Sequence, residues 1–333
     1  MKVAINGFGR IGRLVFRRMF EDSTFEIVAI NDLTSKEDLA YLLRYDTMQG
    51  MYPHDISTFE NGIVVDGKKI IVLSESDPSN LPWRELEIDL VMECTGRFVK
   101  EEDSNKHILA GAKKVLISAP GKGDMKTIVY SVNEDTLDGS EKIISAASCT
   151  TNCLAPVLKV LDQEFGIVKG FMTTVHAYTN DQATLDIAHK KGIYSRRGRA
   201  CAMNIVPTET GAAKAIGKVL PNLDNKMSGG AIRVPVATGS MIDLVLELKE
   251  TVSEEAINKA LEANSSSSLK VIYDPIVSSD VIGTTYGAIV DGLLTKVITT
   301  DETQLVKVVA WYDNEMGYSA QMVRLAKYLS KML

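Results

Sequence analysis

The chain has 333 residues, of which 45% are hydrophobic and 24% charged, and its formal net charge is −6 at pH 7. This length favours two domains, and the acidic balance argues against broad nucleic-acid binding, which needs a basic footprint. The sequence contains no apolar run of membrane-spanning length, and its first residues, MKVAINGFGR, lack the apolar core of a signal peptide. Four cysteines are too few for a disulfide framework, so we expect a cytoplasmic protein without membrane or nucleic-acid partners.

The start of the chain predicts a dinucleotide-binding turn. Residues 2–6, KVAIN, are typical of a short strand, and the apolar residues that follow recur at helical spacing. Between the two lie Gly7, Gly9 and Gly12, which form G-x-G-x-x-G in the strand-to-helix context that this motif requires. The first glycine permits a tight turn, the second lets the backbone approach a pyrophosphate, and the third lets helix and strand pack closely. The helix N-terminus then offers N–H groups to the phosphates.

The second strand, EIVAIND, ends at Asp32, about 20 residues after the glycines, where a ribose-binding carboxylate is expected. A carboxylate at this place accepts hydrogen bonds from the adenine-ribose 2′-hydroxyl and repels a 2′-phosphate. We therefore predict NAD rather than NADP as the cofactor. The alternative is that Asp32 only caps a turn.

Further signals alternate between helix and strand and extend the first domain. Ligands of open α/β sheets lie beyond the carboxyl ends of the strands, so Thr95, Gly96 and Ser118 are candidate cofactor contacts, although each could equally be a turn residue. The predicted elements are a capped helix at 35–45, a hairpin around Asp66-Gly67 at 63–73, and strands at 89–96 and 113–120.

The segment SAASCTTNCLAP contains two cysteines, Cys149 and Cys153, where a predicted strand (142–148) meets a predicted helix (150–166), so that Cys149 is at or next to the N-cap. Cys149 therefore lies at the helix N-terminus, where N–H groups and the helix dipole stabilise a thiolate. A disulfide along one helix would constrain little, and a metal site would need ligands that no second motif supplies. We predict one activated thiol, Cys149, with Cys153 as packing; the alternative is that Cys149 is an inert buried cysteine.

Four histidines could serve as the base for this thiol. His176 ends a β-rich run directly after the Cys149 helix, and a strand–helix–strand unit would bring the two residues together. His54, His107 and His189 are predicted to be surface or structural residues.

Arginines provide candidate anion sites in an otherwise acidic protein. Arg196, Arg197 and Arg199 form a cluster, and Arg233 lies on a later strand. Arginine holds phosphate bidentately, although such a loop could also be solvated or contact another subunit. Residues 208–211, TETG, begin a helix whose N-terminus is a second possible anion site. Together these features predict that a thiol adds to an aldehyde, that a hydride passes to NAD, and that a second nucleophile releases the acyl group.

The segments INGFGRIGR, SAASCTTNCLAP, HAYTNDQ, TGAAKAIGKVLP and WYDNEMGYS closely resemble the phosphorylating glyceraldehyde-3-phosphate dehydrogenases, and the resemblance runs through the whole chain. It implies a glycolytic homotetramer that converts glyceraldehyde 3-phosphate, NAD and inorganic phosphate to 1,3-bisphosphoglycerate. The implied fold is α/β: a Rossmann domain with a doubly wound parallel sheet over 1–148, completed by a C-terminal helix at 315–333. An α+β catalytic and oligomerisation domain with a mostly antiparallel or mixed sheet is implied over 149–314. Hairpin signals within this sheet lie at Asp291-Gly292 and Asp301-Glu302.

The resemblance also implies residue roles. Cys149 would form a thiohemiacetal and then a thioester, with His176 as base and proton donor, and no metal is expected. Glu209 departs from the family pattern, and a carboxylate there would disfavour phosphate unless it points outward. The implied cofactor residues are Gly7, Phe8, Gly9, Arg10, Ile11, Gly12, Asp32, Thr95, Gly96 and Ser118, with Asn180, Asn314 and Tyr318 on the nicotinamide side. The implied substrate residues are Ser148, Thr150, Thr210 and Gly211 for the attacking phosphate, Thr179, Asp181 and Arg233 for the substrate phosphate, and Arg197 assisting both.

Three other functions remain possible from the sequence. Erythrose-4-phosphate dehydrogenase shares the thiol and the fold, although YTND after His176 resembles the triose enzyme more closely. A non-phosphorylating aldehyde dehydrogenase would use water on the thioester, which the two anion sites argue against. A binding role towards RNA or a cell surface belongs to a different class, which the sequence neither supports nor excludes.

Overall fold

The computed structural model of the protein describes residues 1–192, 194–300 and 303–333. Within these residues the α-helices are α1 (Arg10–Phe20), α2 (Lys36–Arg44), α3 (Glu101–Leu109), α4 (Cys149–Phe165), α5 (Ala212–Val219), α6 (Glu254–Ala263) and α7 (Met316–Leu329). The strands are β1 (Lys2–Asn6), β2 (Glu26–Asn31), β3 (Ile56–Phe59), β4 (Gly62–Val65), β5 (Lys68–Leu73), β6 (Leu90–Glu93), β7 (Lys114–Ile117), β8 (Lys126–Thr127), β9 (Ile143–Ser145), β10 (Ile167–Ala177), β11 (Val206–Thr208), β12 (Met227–Val234), β13 (Ser240–Leu248), β14 (Leu269–Ile272), β15 (Ala288–Asp291), β16 (Lys296–Thr299) and β17 (Gln304–Tyr312).

The first of two compact units comprises Met1–Ser148 and Ser319–Leu333. Its described strands form one sheet in the order β3-β4-β5-β2-β1-β6-β7-β9-β8. The pairs from β5 to β8 are parallel, and only β3 and β4 add an antiparallel edge. The predicted Rossmann class is confirmed. In this sheet β2 lies on one side of β1 and β6 lies on the other, so the strand order reverses at β1. Such a reversal is the topological switch point at which open α/β sheets bind ligands.

Local sequence signals account for the elements beside this sheet. The Ser35 side chain accepts a hydrogen bond from the Asp38 N–H and caps α2, as predicted; such a cap contributes about 1 kcal/mol. The predicted hairpin is β4–β5, and its two turn residues, Asp66 and Gly67, have φ of 45° and 77°. Two consecutive positive φ values give the type I′ twist that Asp-Gly favours.

The C-terminal segment contains the predicted helix, α7, followed by a 3₁₀ turn at Ser330–Met332. From Ser319 onwards this segment belongs to the first unit. Lys327 Nζ lies 2.7 Å from Asp22 Oδ2, and the Gln321 amide donates to the Tyr130 carbonyl at 3.2 Å. These contacts join the chain end to elements that lie more than a hundred residues earlier in the sequence.

The second unit comprises Cys149–Tyr318 and contains a mixed sheet in the order β11-β12-β10-β13-β17-β15-β14, with β16 also paired to β17. The expected mixed sheet is confirmed. The hairpin predicted from the Asp-Gly pair at Asp291-Gly292 is wrong. A 3₁₀ turn follows β15, and both β15 and β16 pair with β17. The second hairpin signal, Asp301-Glu302, lies outside the described residues.

Alternation along β10 divides the second sheet into two faces. Met172, Thr174 and His176 are buried, whereas Phe171, directly before Met172, is 68% exposed. Helices α4, α5 and α6 pack against strands of this sheet, and α4 crosses β10, β13, β15 and β17. Within the described residues, no helix has the length and apolar character needed to cross a membrane.

Candidate active site

The thiol and the histidine predicted to act together are in contact. Cys149 is the first residue of α4, and its Sγ lies 3.4 Å from Nε2 of His176, near the end of β10. The reason differs from the expected strand–helix–strand unit, because β9 and β10 belong to different sheets. The two residues meet because α4 packs across the sheet that contains β10, with its first turn at the end of that strand.

The hydrogen bonds of His176 define which nitrogen faces the thiol. Its Nδ1 lies 2.7 Å from the Ala177 carbonyl oxygen, which can only accept, so Nδ1 carries the proton. Burial, and then the positive charge of Arg233, lower the pKa of His176 to about 3. The imidazole is therefore neutral at pH 7, and the lone pair on Nε2 faces Sγ of Cys149, as a general base requires.

The two cysteines of α4 have different environments. Cys149 is partly accessible; burial raises the pKa of its thiol, while the charge of Arg233 and hydrogen bonds at the helix start oppose that rise. Burial therefore outweighs the thiolate stabilisation expected from the helix N-terminus. Cys153 is fully buried, burial raises its pKa well above the usual value, and its nearest acceptor is the Ala310 carbonyl at 3.9 Å. Its environment is that of a packing residue.

Thr150 belongs to a buried chain of hydroxyl groups. Thr174 Oγ1 donates to the Met241 carbonyl at 3.0 Å, so Tyr312, at 2.8 Å, must donate to Thr174. Thr150 Oγ1, 2.9 Å from the Tyr312 hydroxyl, then donates to it. The Thr150 hydroxyl therefore donates its proton to Tyr312 and has none left for a ligand. Its backbone remains as the donor for the phosphate contact predicted at this residue.

A cluster of charged and hydroxyl groups lies beside His176. Arg233 is paired in register with His176 on the neighbouring parallel strand and donates to the Ala177 carbonyl at 2.8 Å and to Thr179 Oγ1 at 3.0 Å. Thr179 in turn donates to Asp181. Arg233 is 9% exposed, and its buried Nε has no hydrogen-bond partner among the described residues. A buried guanidinium with an unused donor favours an anionic ligand.

Arg197 connects this cluster to the second predicted anion site. Its Nη1 donates to Asp181, its Nε donates to Thr208 Oγ1 at 3.2 Å, and its Nη2 donates to the Glu209 carbonyl at 3.4 Å. Although burial opposes it, hydrogen bonds from Thr179 and Arg197 lower the pKa of Asp181, which stays ionised. Glu209 contributes its backbone here and its side chain is exposed, consistent with the outward orientation that the sequence required.

The start of α5 provides the remaining predicted phosphate contacts. Thr210 Oγ1 accepts a hydrogen bond from the Ala212 N–H at 3.2 Å, and Gly211 is the N-cap residue. A Cβ at Gly211 would meet no atom within 4 Å, so the space above this helix end is open. Ser148 directly precedes Cys149 and is half-buried.

The glycine turn in the first unit has the geometry of a pyrophosphate cradle. Gly7 has φ of 89°, and a Cβ there would lie 2.7 Å from the Thr95 nitrogen; a Cβ at Gly12 would lie 2.0 Å from the Gly7 oxygen. Gly9, the N-cap of α1, faces open space, so a phosphate can approach its backbone. The amides of Ile11 and Gly12, in the first turn of α1, have no acceptor within the helix. This cradle fits a dinucleotide.

The ribose side of the cradle is pre-formed around Asp32. Its Oδ2 accepts a hydrogen bond from the Phe8 N–H at 2.7 Å and its Oδ1 accepts one from Thr34 at 3.0 Å, which leaves lone pairs for ribose hydroxyls. The Phe8 side chain is buried, and the Arg10 side chain donates to Asp46. These two predicted residues therefore offer backbone rather than side chains to a cofactor.

The predicted cofactor contacts at the ends of β6 and β7 differ in their exposure and hydrogen bonding. Thr95 donates both its N–H and its hydroxyl to Glu93 Oε1, so its side chain shapes the turn and keeps no donor for a cofactor. Gly96 is exposed with φ of 68°. Ser118 is half-buried, and its N–H donates to the Glu93 carbonyl at 2.9 Å.

The residues predicted for the nicotinamide side lie in the second unit. Asn314 Oδ1 accepts hydrogen bonds from the Gly239 N–H at 3.1 Å and from Ser240 Oγ at 2.9 Å, which fixes the amide so that Nδ2 is its remaining donor. Tyr318 is buried in the first turn of α7. Asn180 is exposed.

The contacts of the other histidines are those of structural residues, as predicted. Sequence reasoning also missed two residues that contact the predicted site residues. His54 lies between Glu21 and Asp66, 2.6 Å from each, and His189 Nε2 contacts the Asp181 carbonyl. Tyr312 and Glu93 were missed, because Tyr312 contacts Thr150 and Thr174, and Glu93 contacts Asn6 and His107 besides the nearby Thr95. These partners lie more than a dozen residues away in the sequence, and the signal left was a polar residue at the end of an apolar strand. The described residues contain no group of His, Cys, Asp and Glu side chains suited to a metal.

The chain is similar to proteins of one known family along nearly its whole length. Residues 1–101 match the family model described as "Glyceraldehyde 3-phosphate dehydrogenase, NAD binding domain", and residues 148–314 match its "C-terminal domain" counterpart. A relative from Clostridium pasteurianum named "Glyceraldehyde-3-phosphate dehydrogenase" is 55% identical over 331 residues, or 99% of each chain. Proteins of the same name from Clostridium acetobutylicum and Streptococcus pyogenes are 54% and 53% identical, over 99% and 100% of this chain and 99% of each relative.

Proposed function

Since the chain belongs to the glyceraldehyde-3-phosphate dehydrogenase family, we propose that it oxidises glyceraldehyde 3-phosphate with NAD and inorganic phosphate through a thioester on Cys149. Its enzyme class is that of a glycolytic, NAD-dependent oxidoreductase. The single observation that carries the proposed chemistry is the 3.4 Å contact between the Cys149 sulfur and the neutral His176 Nε2.

The first half of the reaction uses this pair. The Cys149 sulfur attacks the aldehyde carbon while its proton moves to His176 Nε2. His176 returns this proton to the former carbonyl oxygen, which becomes the hydroxyl of a thiohemiacetal, and Nε2 is again free to act as a base. His176 then accepts the proton of that hydroxyl as carbon 1 loses its hydride. NAD, when bound, accepts the hydride, and the cradle at Gly7–Gly12 with Asp32 is the site that we assign to it.

The second half releases the acyl group as an acyl phosphate. Inorganic phosphate attacks the thioester carbon, the carbon–sulfur bond breaks, and the departing sulfur recovers a proton from His176. We assign this phosphate to the open space at Thr210 and Gly211, with Ser148 and the backbone of Thr150. The uncovered helix end at Gly211 supports the assignment.

The phosphate of the substrate itself requires a permanent cation near the thiol. Arg233 meets this need, because it is buried, adjacent to His176 in register, and retains an unused donor. Thr179 and Arg197 complete the site that we propose, and Asp181 orients both through hydrogen bonds. Holding the phosphate in this way orients the aldehyde carbon towards Cys149.

The proposal predicts that NADH formation from glyceraldehyde 3-phosphate depends strongly on inorganic phosphate. The measurement is the initial rate of NADH absorbance with and without phosphate, and arsenate serves as a matched second oxyanion. Equal rates without any oxyanion would mean that water resolves the thioester and would remove the role of Thr210 and Gly211. If the enzyme formed NADH with erythrose 4-phosphate but none with glyceraldehyde 3-phosphate, erythrose 4-phosphate would be the favoured substrate. The comparisons do not support that alternative.

NAD is the cofactor, and we propose that Asp32 sets its preference over NADP. Asp32→Ala should lower the ratio of kcat/KM for NAD to that for NADP by about tenfold, because the variant loses a charge-assisted hydrogen bond and a repulsion. The ratio is measured by steady-state kinetics with each cofactor. An unchanged ratio would refute the ribose role.

We also propose that the native enzyme is a cytoplasmic homotetramer. The open face of the second sheet supports assembly, because Phe171 is 68% exposed, its cross-strand neighbour Val245 is 38% exposed, and Leu305 on β17 is 48% exposed. Apolar residues exposed together on one face mark an interaction site. Sedimentation equilibrium would test this, since a particle of four chain masses is expected. In the proposed division, residues 1–148 and the C-terminal helix bind NAD, and residues 149–314 provide catalysis and assembly.

A further inference from the structure

A row of buried polar residues crosses the first sheet directly beneath the cofactor cradle. Asn31, Asn6 and Glu93 are the last residues of β2, β1 and β6, and they are paired in register across these neighbouring strands. They are 5%, 1% and 1% exposed, and His107 of α3 beside them is fully buried. Each strand end is followed by a residue assigned to NAD. Gly7 directly follows Asn6, Asp32 directly follows Asn31, and Thr95 comes two residues after Glu93.

The backbone of Glu75 defines the proton positions at one end of this row. Asn31 Nδ2 donates to the Glu75 carbonyl at 2.9 Å, and Asn31 Oδ1 accepts from the Glu75 N–H at 2.8 Å, so its amide cannot be reversed. Asn31 Nδ2 then donates to Asn6 Oδ1 at 2.7 Å. It follows that Asn6 presents Nδ2, a donor, to Glu93 Oε2 at 2.5 Å.

Trp83 defines the proton positions at the other end. An indole N–H only donates, and Trp83 Nε1 lies 2.9 Å from His107 Nδ1, so Nδ1 carries a lone pair and the ring is neutral. His107 Nε2 therefore holds the proton and donates to Glu93 Oε2 at 3.2 Å. On Oε1, Glu93 accepts the N–H of Thr95 at 2.8 Å and the Thr95 hydroxyl.

Four donor groups thus converge on Glu93: Asn6 Nδ2, His107 Nε2, and the N–H and hydroxyl of Thr95. The two carboxyl oxygens can accept all four hydrogen bonds, whereas an amide in the same place would turn an NH₂ group towards donors. No cation is among these contacts, so hydrogen bonds alone satisfy the buried carboxyl group. Such a site is costly unless every hydrogen bond is made, and it therefore tolerates little displacement of its donors.

We propose that Glu93 is a positioning residue for the cofactor: its carboxyl group holds Thr95 and, through Asn6 and Asn31, aligns the strand ends that carry Gly7 and Asp32. This role rests on the proposed NAD site. Thr95 supports it, because its nitrogen lies where a Gly7 Cβ would collide at 2.7 Å, so the two turns are in contact. Moving Thr95 therefore moves the surface that receives the pyrophosphate.

The test exchanges the acid and the amide between two contacting positions. Glu93→Gln turns an NH₂ group towards donors and should weaken NAD binding about tenfold, the usual scale for one buried unsatisfied donor. Asn6→Asp places two carboxylates in contact and should weaken binding at least as much. The double variant restores one acid and one amide, and should bind NAD more tightly than either single variant. The dissociation constant of NAD is measured by calorimetry on the full-length enzyme without substrate.

Two readouts separate positioning from simple loss of stability. With Glu93→Gln, KM for NAD should rise while kcat at saturating NAD stays near the wild-type value, because no reacting group has moved. The matched control is Asp291→Asn, a buried acid that accepts from Trp311 at 3.1 Å in the second unit, which should lower the melting temperature without changing NAD affinity. If Glu93→Gln fails to fold, Thr95→Val removes one donor and should weaken NAD binding severalfold.

Two results would overturn the inference: an unchanged NAD dissociation constant in the Glu93→Gln variant, or a double variant that binds no better than the worse single variant. Neither result depends on the aldehyde or on phosphate. A failure of the proposed function would appear instead in the wild-type enzyme, as absent or phosphate-independent NADH formation.

Discussion

Replacing Cys149 with serine should abolish aldehyde oxidation while leaving NAD binding largely intact. The hydroxyl is a far weaker nucleophile than a thiol deprotonated by His176 at 3.4 Å, and a serine ester would not transfer its acyl group as readily. We expect kcat/KM to fall by roughly 10⁴-fold or more, as when the nucleophile of a catalytic pair is removed. NADH formation and NAD calorimetry on the same preparation measure the two properties.

The chain provides a matched control for this variant one helical turn away. Cys153→Ser changes the same atoms at a fully buried position that holds no acid–base partner, so most activity should remain. Any loss should follow the melting temperature, because a hydroxyl is less favourable there than a thiol. Comparable inactivation by both variants would contradict the assignment of Cys149 as the one nucleophile.

Replacing His176 with asparagine should produce the second large effect. The amide cannot take the thiol proton, so kcat/KM should fall by about 10²- to 10⁴-fold, the range for loss of a general base. The pH profile should also change. In the wild type the base is already neutral throughout the range from pH 6 to 8, because burial and Arg233 lower the pKa of His176 to about 3.

In the variant, attack depends on direct ionisation of Cys149, whose pKa burial raises above its usual value. Only the thiolate reacts, so the residual rate should increase with pH, by about tenfold per unit below that pKa. Initial rates from pH 6 to 9 provide the profile. A residual rate that is independent of pH would show that His176 does not take the thiol proton.

The pKa of His176 also links activity to stability. In the unfolded chain a histidine has a pKa of about 6.5, so the unfolded state binds more protons than the folded state between that value and about 3. The contribution of His176 therefore favours the folded state fully above pH 6.5 and destabilises it progressively as the pH falls towards 3. The same burial that keeps the base neutral makes the site sensitive to acid.

Local sequence by itself determined the parts of this protein that depend on near neighbours. The glycine turn, Asp32, the Ser35 cap, the Asp66-Gly67 hairpin and the position of Cys149 at a helix start follow from turn chemistry and periodicity over a few residues. The failed hairpin at Asp291-Gly292 marks the limit of such signals, because pairing of both flanking strands with β17 overrides the local turn preference.

Only the tertiary structure decided which distant groups meet. His176 reaches Cys149 through the packing of α4 on a sheet that excludes β9, and Arg233 lies beside His176 through strand register. Glu93 receives its donors from Asn6 of β1, Thr95 after β6 and His107 of α3, and Trp83 orients His107. Periodicity reports whether a side chain is buried, but not what it faces, because facing partners are fixed by register and packing between segments far apart in the chain.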